Sequence, residues 1–313
     1  MSKFVYIVTP EGKLLEETLV NAGYEIYVGN GTLEDWALAK CDAIVPGKAY
    51  ITEDVLRKAP NVKVISKFGV GVERIDIEAC TQAGVVVANT PTNNYVSVAE
   101  HTMMLILAAA KRIIPSTMDL RMGTPDWVHA KSCKGQDLEG KILLLVGLGN
   151  IGKRVAKLAN AFEMKVIAYD PYVDKKMVPS NIEVVDSLDS GLAQADFVSL
   201  HVAGIEQNRY MVNADVFRKM KKSAVLVNTT RGFVVDEAAL IEALENGEIA
   251  GAALDVFEME PIACDHPLLS MPNVVITPHA AGNTQEARLR GQISCANNIM
   301  QCFDGKRPDG ALN

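Results

Sequence analysis

What most constrains this chain is a rhythm. Short apolar, β-branched runs alternate with amphipathic stretches from one end to the other. In the first third the runs are 4–9, 24–29, 42–47, 62–66 and 85–90, separated by segments such as "GKLLEETLVNAG" and "TEDVLRKAP". Near-continuous apolar strands with helices between them mean a parallel sheet covered on both faces. The rhythm breaks after residue 96. Residues 97–114 read as one long helix, and 115–139 carry Pro, Gly, Trp and mixed charge without strong periodicity. Strands then resume at 141–147, 165–170, 182–185, 196–202, 224–230, 251–257 and 274–279, and a last helix is expected over 284–304. The fold class is therefore α/β, with two doubly wound parallel-sheet domains, as a length of 313 residues allows. The expected boundaries are 1–96 plus 285–313 for one domain and 97–284 for the other, with the final helix returning to the first.

Charge and cysteine usage narrow the function classes. A net charge of −7 argues against nucleic acid or anionic membrane as the main partner, because both select for basic surface. The apolar run "TMMLILAAA" (102–110) is about half of what a membrane span requires. The N-terminus shows no signal-peptide pattern. Six cysteines form no C-x-x-C pair and no ligand spacing with histidine, so free thiols, no metal site and a cytoplasmic location are expected.

"LLLVGLGNIGKRVAKLA" places Gly147, Gly149 and Gly152 in G-x-G-x-x-G spacing, with Asn150 and Ile151 inside the turn. The pattern alone is weak. Here it follows an apolar strand and opens a helix, as phosphate binding requires. The first glycine makes the turn, the second admits a pyrophosphate, and the third permits close helix–strand packing. The next strand ends in Asp170, suited to accept from ribose hydroxyls and to repel a 2′-phosphate. NAD is thus expected over NADP, although Lys175 and Lys176 lie close by.

Three later strand ends carry polar groups unlike their surroundings: Arg231 in "NTTRGFVVD", Asp255 and Glu260 in "LDVFEMEP", and His279 in "TPHAAG". Ligands of doubly wound sheets collect at such carboxyl ends. An arginine fork, a carboxylate and a histidine are the parts needed to reduce a 2-oxo acid. The arginine holds the substrate carboxylate, the histidine protonates the developing alkoxide, and the glutamate stabilises the imidazolium.

With "FGVGVERID" (68–76) and "NTPTNNYVSVAEHT" (89–102), these motifs occur in the order and approximate spacing of a known family. Over essentially its whole length the chain resembles the NAD-dependent D-2-hydroxyacid dehydrogenases, the phosphoglycerate dehydrogenase type among them. The resemblance implies a Rossmann NAD-binding domain and a flavodoxin-like substrate domain, with the active-site cleft between them. It implies Arg231, Glu260 and His279 as the catalytic trio. It puts the backbone of Val70 and Gly71 at the substrate carboxylate, with Asn94 nearby. Thr229, Thr230, Asp255, His279 and Gly282 fall on the cofactor side, and His201 near the adenine end.

In relatives the stretch after the long helix is an arm that embraces a second subunit. A homodimer is therefore expected; that Trp127 reaches the neighbour's site is the lesser of the two readings of that residue. His101 is expected to pack or to lie at an interface, and His266 to lie on a surface loop, while His129 falls in the irregular stretch. Two departures bear on affinity and specificity. "HVAGIEQNRYMV" lacks the family's Pro and Thr near the adenosine, and Lys48, with Arg74, offers a cation for a distal phosphate. 3-Phosphoglycerate is thus the favoured substrate, and a glyoxylate or hydroxypyruvate reductase is the alternative. A non-catalytic NADH-sensing protein is the alternative from another class.

Overall fold

The computed structural model describes residues 2–123 and 134–313, which divide into two compact units, 1–94 with 283–313 and 95–282. In the first unit the strands are β1 (Phe4–Ile7), β2 (Glu25–Val28), β3 (Ala43–Val45), β4 (Val64–Ser66) and β5 (Val86–Ala88). Between them come α1 (Lys13–Asn21), α2 (Asp35–Leu38), α3 (Glu53–Lys58) and α4 (Ile77–Gln82). All pairings are parallel, in the order β2-β1-β3-β4-β5 of flavodoxin-like sheets. Strand alternation sends Tyr6, Ile44 and Ile65 to one face and Val5, Ile7 and Val64 to the other. The last helix, α11 (Gln285–Phe303), covers the second face with Cys295, Ala296 and Ile299, beside Leu15 and Leu19 of α1. Burying each such aliphatic side chain stabilises by about 1.5–3 kcal/mol.

The second unit begins with α5 (Tyr95–Ala110) and α6 (Ile113–Arg121). Its strands are β6 (Ile142–Val146), β7 (Lys165–Tyr169), β8 (Glu183–Val184), β9 (Phe197–Leu200), β10 (Val225–Asn228), β11 (Gly251–Leu254) and β12 (Val274–Ile276). Helices α7 (Asn150–Ala161), α8 (Leu188–Leu192), α9 (Ala214–Lys219) and α10 (Glu237–Glu245) lie between them. The parallel order is β12-β11-β10-β9-β6-β7-β8, so the winding reverses between β6 and β9. On β6, Leu143 and Leu145 face the core under α5 and α7, while Leu144 and Val146 face the opposite one. The polar residues buried along this sheet gather at carboxyl ends: Ser199, Asn228, Thr229 and Asp255. A buried polar group must be satisfied or used.

One expected element is corrected. Residues 97–114 are not a single helix. The chain breaks at Arg112, whose φ of 51° is left-handed, and α6 starts anew at Ile113. Pro115 gives the reason. It has no N–H to continue a helical ladder, but it fits the first turn of a new helix. The end of α5 is closed from outside, where Gln136 N–H donates to Ala110 O at 2.8 Å.

Candidate active site

β6 and β9 lie side by side at the reversal, and their carboxyl ends meet at the glycine loop. Gly147 has φ 99°, and a Cβ there would come within 2.6 Å of His201 O. A Cβ on Gly152 would stand 2.4 Å from Gly147 O, so the third glycine lets α7 close on the loop. Gly149 differs, since a Cβ there would meet nothing within 4 Å. The chain's own packing thus demands glycine at 147 and 152 but not at 149, where the space beside the loop is open. Asn150 and Ile151 open α7, whose N-terminal amides and dipole face that approach.

Asp170 ties the end of β7 to this loop. Its Oδ2 accepts from Leu148 N–H at 2.8 Å and its Oδ1 from Tyr172 N–H at 2.9 Å. A carboxylate has about four lone-pair sites, so acceptor capacity is left for ribose hydroxyls. Lys175 is paired with Asp186 at 3.0 Å. His201, after β9, is half-buried as a residue, but its Nδ1 is sealed from solvent and unpartnered among the described residues. Its Nε2 lies 2.9 Å from Ser199 Oγ. Burial pushes the imidazole pKa down to about 3, so the ring is neutral. The open approach at Gly149 and the unpartnered nitrogen of His201 both fit a dinucleotide.

The three catalytic candidates stand at the ends of β10, β11 and β12. Asn228 shapes the first turn, with its Oδ1 accepting from Thr230 N–H and Oγ1 and its Nδ2 donating to Arg231 O at 3.0 Å. Arg231 is half-buried, and its NH1 donates to Thr230 O at 2.9 Å. A Cβ on Gly232 would lie 1.8 Å from Phe257 O, so this glycine lets the Arg231 turn press against the segment that leads to Glu260. Glu260 Oε1 accepts from Phe257 N–H at 3.1 Å, and its Oε2 lies 2.6 Å from His279 Nδ1. A carboxylate only accepts, so Nδ1 carries the proton and Nε2 is the nitrogen available for chemistry. His279 has φ 52° and a side chain 48% exposed.

Asp255 acts beneath this pair. It is 1% exposed, and burial alone would push its carboxyl up. Hydrogen bonds from His101, Thr277 Oγ1 (2.5 Å) and the amides of Ala280 (2.8 Å) and Ala281 (2.9 Å) outweigh that and hold it below the usual carboxylate range. Its own C=O accepts from His279 N–H at 2.7 Å. Asp255 therefore shapes the turn that presents His279, and its carboxylate is engaged from inside the protein. His101, expected to pack or to lie at an interface, has a specific partner here. Its Nε2 is 2.9 Å from Thr277 Oγ1 and 3.4 Å from Asp255 Oδ1. Thr277 and Thr102, whose Oγ1 bonds Thr229 Oγ1 at 3.1 Å, were missed in the sequence, although both stand within or beside the motifs that mark the site.

His266 ends the exposed loop that follows Glu258; it is half-buried, with Nε2 3.0 Å from Glu237 Oε1. Gly282 is half-buried and ends the second unit. Trp127 and His129, expected in the subunit arm, lie outside the described residues.

In the first unit, the loop after β4 is pinned by its neighbour after β5. Gly69 N–H donates to Thr90 Oγ1 at 2.8 Å, and Asn89 Nδ2 donates to Val70 O at 2.8 Å. Val70 is 40% exposed, Gly71 and Asn94 are half-buried, and Lys48 is exposed after β3.

Sheet order, glycine loop, strand-end acid and histidine–carboxylate pair together define the class, a parallel α/β protein of the dinucleotide-binding kind. Comparison with known proteins sharpens it. Residues 103–281 match the family model described as D-isomer specific 2-hydroxyacid dehydrogenase, NAD binding domain. The chain is 41% identical over 306 residues to a D-3-phosphoglycerate dehydrogenase of Methanocaldococcus jannaschii, covering 96% of this chain and 57% of that protein. It is 41% identical over 260 residues to a hydroxypyruvate reductase of Thermotoga maritima, covering 82% of this chain and 83% of that protein. The NAD complex of a D-isomer specific 2-hydroxyacid dehydrogenase from Lactobacillus delbrueckii ssp. bulgaricus superposes with a TM-score of 0.87 at 27% identity, and covers 100% of both chains. The chain belongs to the D-isomer specific 2-hydroxyacid dehydrogenase family. It spans little more than half the length of the phosphoglycerate dehydrogenases it resembles.

Among the described residues no helix is long and apolar enough to cross a membrane, and no group of three metal-ligating side chains is found.

Proposed function

We propose that the protein transfers a hydride between nicotinamide and C2 of a small D-2-hydroxy or 2-oxo acid. The observation that carries this reading is the 2.6 Å pair of Glu260 Oε2 and His279 Nδ1. Bound NADH supplies the hydride, which reduces C2. Arg231 holds the carboxylate of the acid by its planar fork and orients C2. His279 gives its Nε2 proton to the oxygen on C2 as negative charge develops there, and Glu260 stabilises the imidazolium before transfer. In oxidation the same nitrogen takes the proton back. Val70, Gly71 and Asn94 are proposed as further substrate-contacting residues. Thr229, Asp255 and Gly282 are proposed on the nicotinamide side, and His201 at the adenine end.

For the substrate, an acid with an anionic distal group such as 3-phosphoglycerate is favoured. Support comes from cations of the first unit, Lys48, Lys67 and Arg74 on loops and Arg288 near the start of α11. A glyoxylate or hydroxypyruvate reductase has its own support, because three of these cations are already engaged, Arg288 by donating to Glu11 O at 3.5 Å. Lys67 Nζ donates to Gly47 O at 2.5 Å, while Arg74 donates to Lys48 O at 2.7 Å and stacks on Tyr50.

The test is steady-state reduction with NADH and with NADPH, using glyoxylate, hydroxypyruvate and phosphohydroxypyruvate. A kcat/KM highest for the phosphorylated acid, and lowered at least tenfold for that acid alone by Lys48→Ala, supports the first substrate. Equal use of NADPH would overturn the role of Asp170. No turnover on any acid, with NADH still bound, would leave the NADH-sensing protein in place of the enzyme.

A further inference from the structure

Glu260 lies on a long connection. β11 ends at Leu254, and the next regular turn is the single 3-10 turn Pro267–Leu269. Between Glu258 and Asp265 the chain is exposed except at Ile262, which packs on the core. A contact of 2.6 Å made from such a segment needs anchors close to Glu260.

Both anchors end on one side chain. Glu237 Oε2 accepts from Glu258 N–H at 3.2 Å, and Glu237 Oε1 lies 3.0 Å from His266 Nε2. The tautomer follows from the neighbouring bond. His266 Nδ1 accepts from Leu268 N–H at 3.4 Å, so Nε2 carries the proton and donates to Glu237. The pair therefore holds with a neutral imidazole. Glu237 sits in the first turn of α10, where an acid ordinarily serves the helix dipole. Capping here is already done by Asp236, whose carboxylate accepts from Ala239 N–H at 3.1 Å. The carboxylate of Glu237 turns to the loop instead, and Tyr210 Oη adds a bond to the Glu258 carboxylate.

We propose that Glu237 and His266 are positioning residues, whose interaction clamps the two ends of the 258–266 segment and so holds the Glu260 carboxylate against His279. The inference rests on the reading of Glu260 and His279 as the acid–base pair. Neither Glu237 nor His266 touches substrate or cofactor in this scheme. Their effect passes wholly through Glu260.

That chain of action is testable with His266→Ala and Glu237→Gln, each alone and each combined with Glu260→Gln in the full chain. The first readout is independent of turnover: the titration midpoint of the His279 imidazole by nitrogen-15 NMR, assigned by loss of its signals in His279→Gln. Each single variant should lower that midpoint in the direction of Glu260→Gln, by about one pH unit. In the Glu260→Gln background neither should lower it further. The second readout is reduction of a 2-oxo acid with NADH. The singles should lose roughly tenfold in kcat, because sub-ångström misplacement of a catalytic group is enough to do so. The dissociation constant for NADH should stay within about twofold. His266→Gln, whose amide can still donate to Glu237 and accept from Leu268, should restore both readouts, and it also serves if the alanine variant does not fold. An unchanged His279 titration in the singles would overturn the clamp. So would an equal further shift in the Glu260→Gln background. Absence of turnover in the wild-type protein would instead count against the proposed reaction, while the NMR titrations would still support or overturn the clamp.

Discussion

His279 holds a left-handed backbone conformation that costs a non-glycine residue about 1–3 kcal/mol. The surroundings enforce it, with its N–H on Asp255 O and the next two amides on the Asp255 carboxylate. The side chain is thereby presented at the end of β12 with Glu260 as its charged partner at 2.6 Å. Glu260→Gln keeps the shape and removes the charge. The imidazolium then loses its counter-charge, and the alkaline limit of reduction, set by loss of that proton, should move to lower pH. Oxidation requires the neutral ring, so its acid limit should move down too, with alkaline activity preserved. His279→Ala should lower turnover by about 10²–10⁴ while NADH binding stays nearly intact. pH–rate profiles in both directions with NADH titrations check these outcomes. An unshifted profile removes Glu260 from the mechanism, and full activity in His279→Ala removes the mechanism.

At the scale of elements, the site is made where strand ends are forced close, and glycines set how close. Gly232→Ala would drive a methyl into the carbonyl of Phe257, the residue whose N–H holds Glu260. Both are backbone, so the turns after β10 and β11 must part, at a cost of about 1–3 kcal/mol. The expected result is a lowered Tm together with reduced kcat, and an unchanged Tm would show that the turns have slack. His201, at the end of β9, yields a second outcome. Its folded pKa of about 3 lies below the ordinary histidine value of 6.5, so between these pH values the unfolded chain binds the extra proton. Stability from this residue is therefore full above 6.5 and is lost as pH falls, by about 1.4 kcal/mol per unit. Half-buried Glu11 has a raised pKa and acts in the opposite sense above its ordinary value of 4.5, so the comparison must be with a variant. Urea unfolding at pH 7, 6 and 5 should give a shallower acid loss for His201→Asn than for wild type.

For the whole molecule the expected state is a homodimer formed through the second unit. Helix α6 buries none of its residues, and Ile113, Ile114, Met118 and Leu120 are each about half exposed, between 47% and 53%. A cluster of exposed apolar side chains is the kind of surface that association covers. Light scattering at micromolar concentration should give twice the chain mass, and Leu120→Glu should shift it toward monomer. A stable wild-type monomer would sink this expectation. Features that depend on short-range pattern are readable in the chain alone. Every strand among the described residues falls within an expected apolar run, because a parallel sheet covered on both faces needs such runs wherever it passes. The glycine loop was legible for the same reason, since turn, phosphate approach and helix start are consecutive in the chain. His279 was legible because its small neighbours adjoin it. Which distant groups meet is fixed by packing. The break at Arg112, the donors gathered on Asp255 and the partnership of Glu237 with His266 depend on which backbones pack side by side. Periodicity records which face of an element is buried, but the identity of a buried polar group's partner is set by the packing that desolvates it.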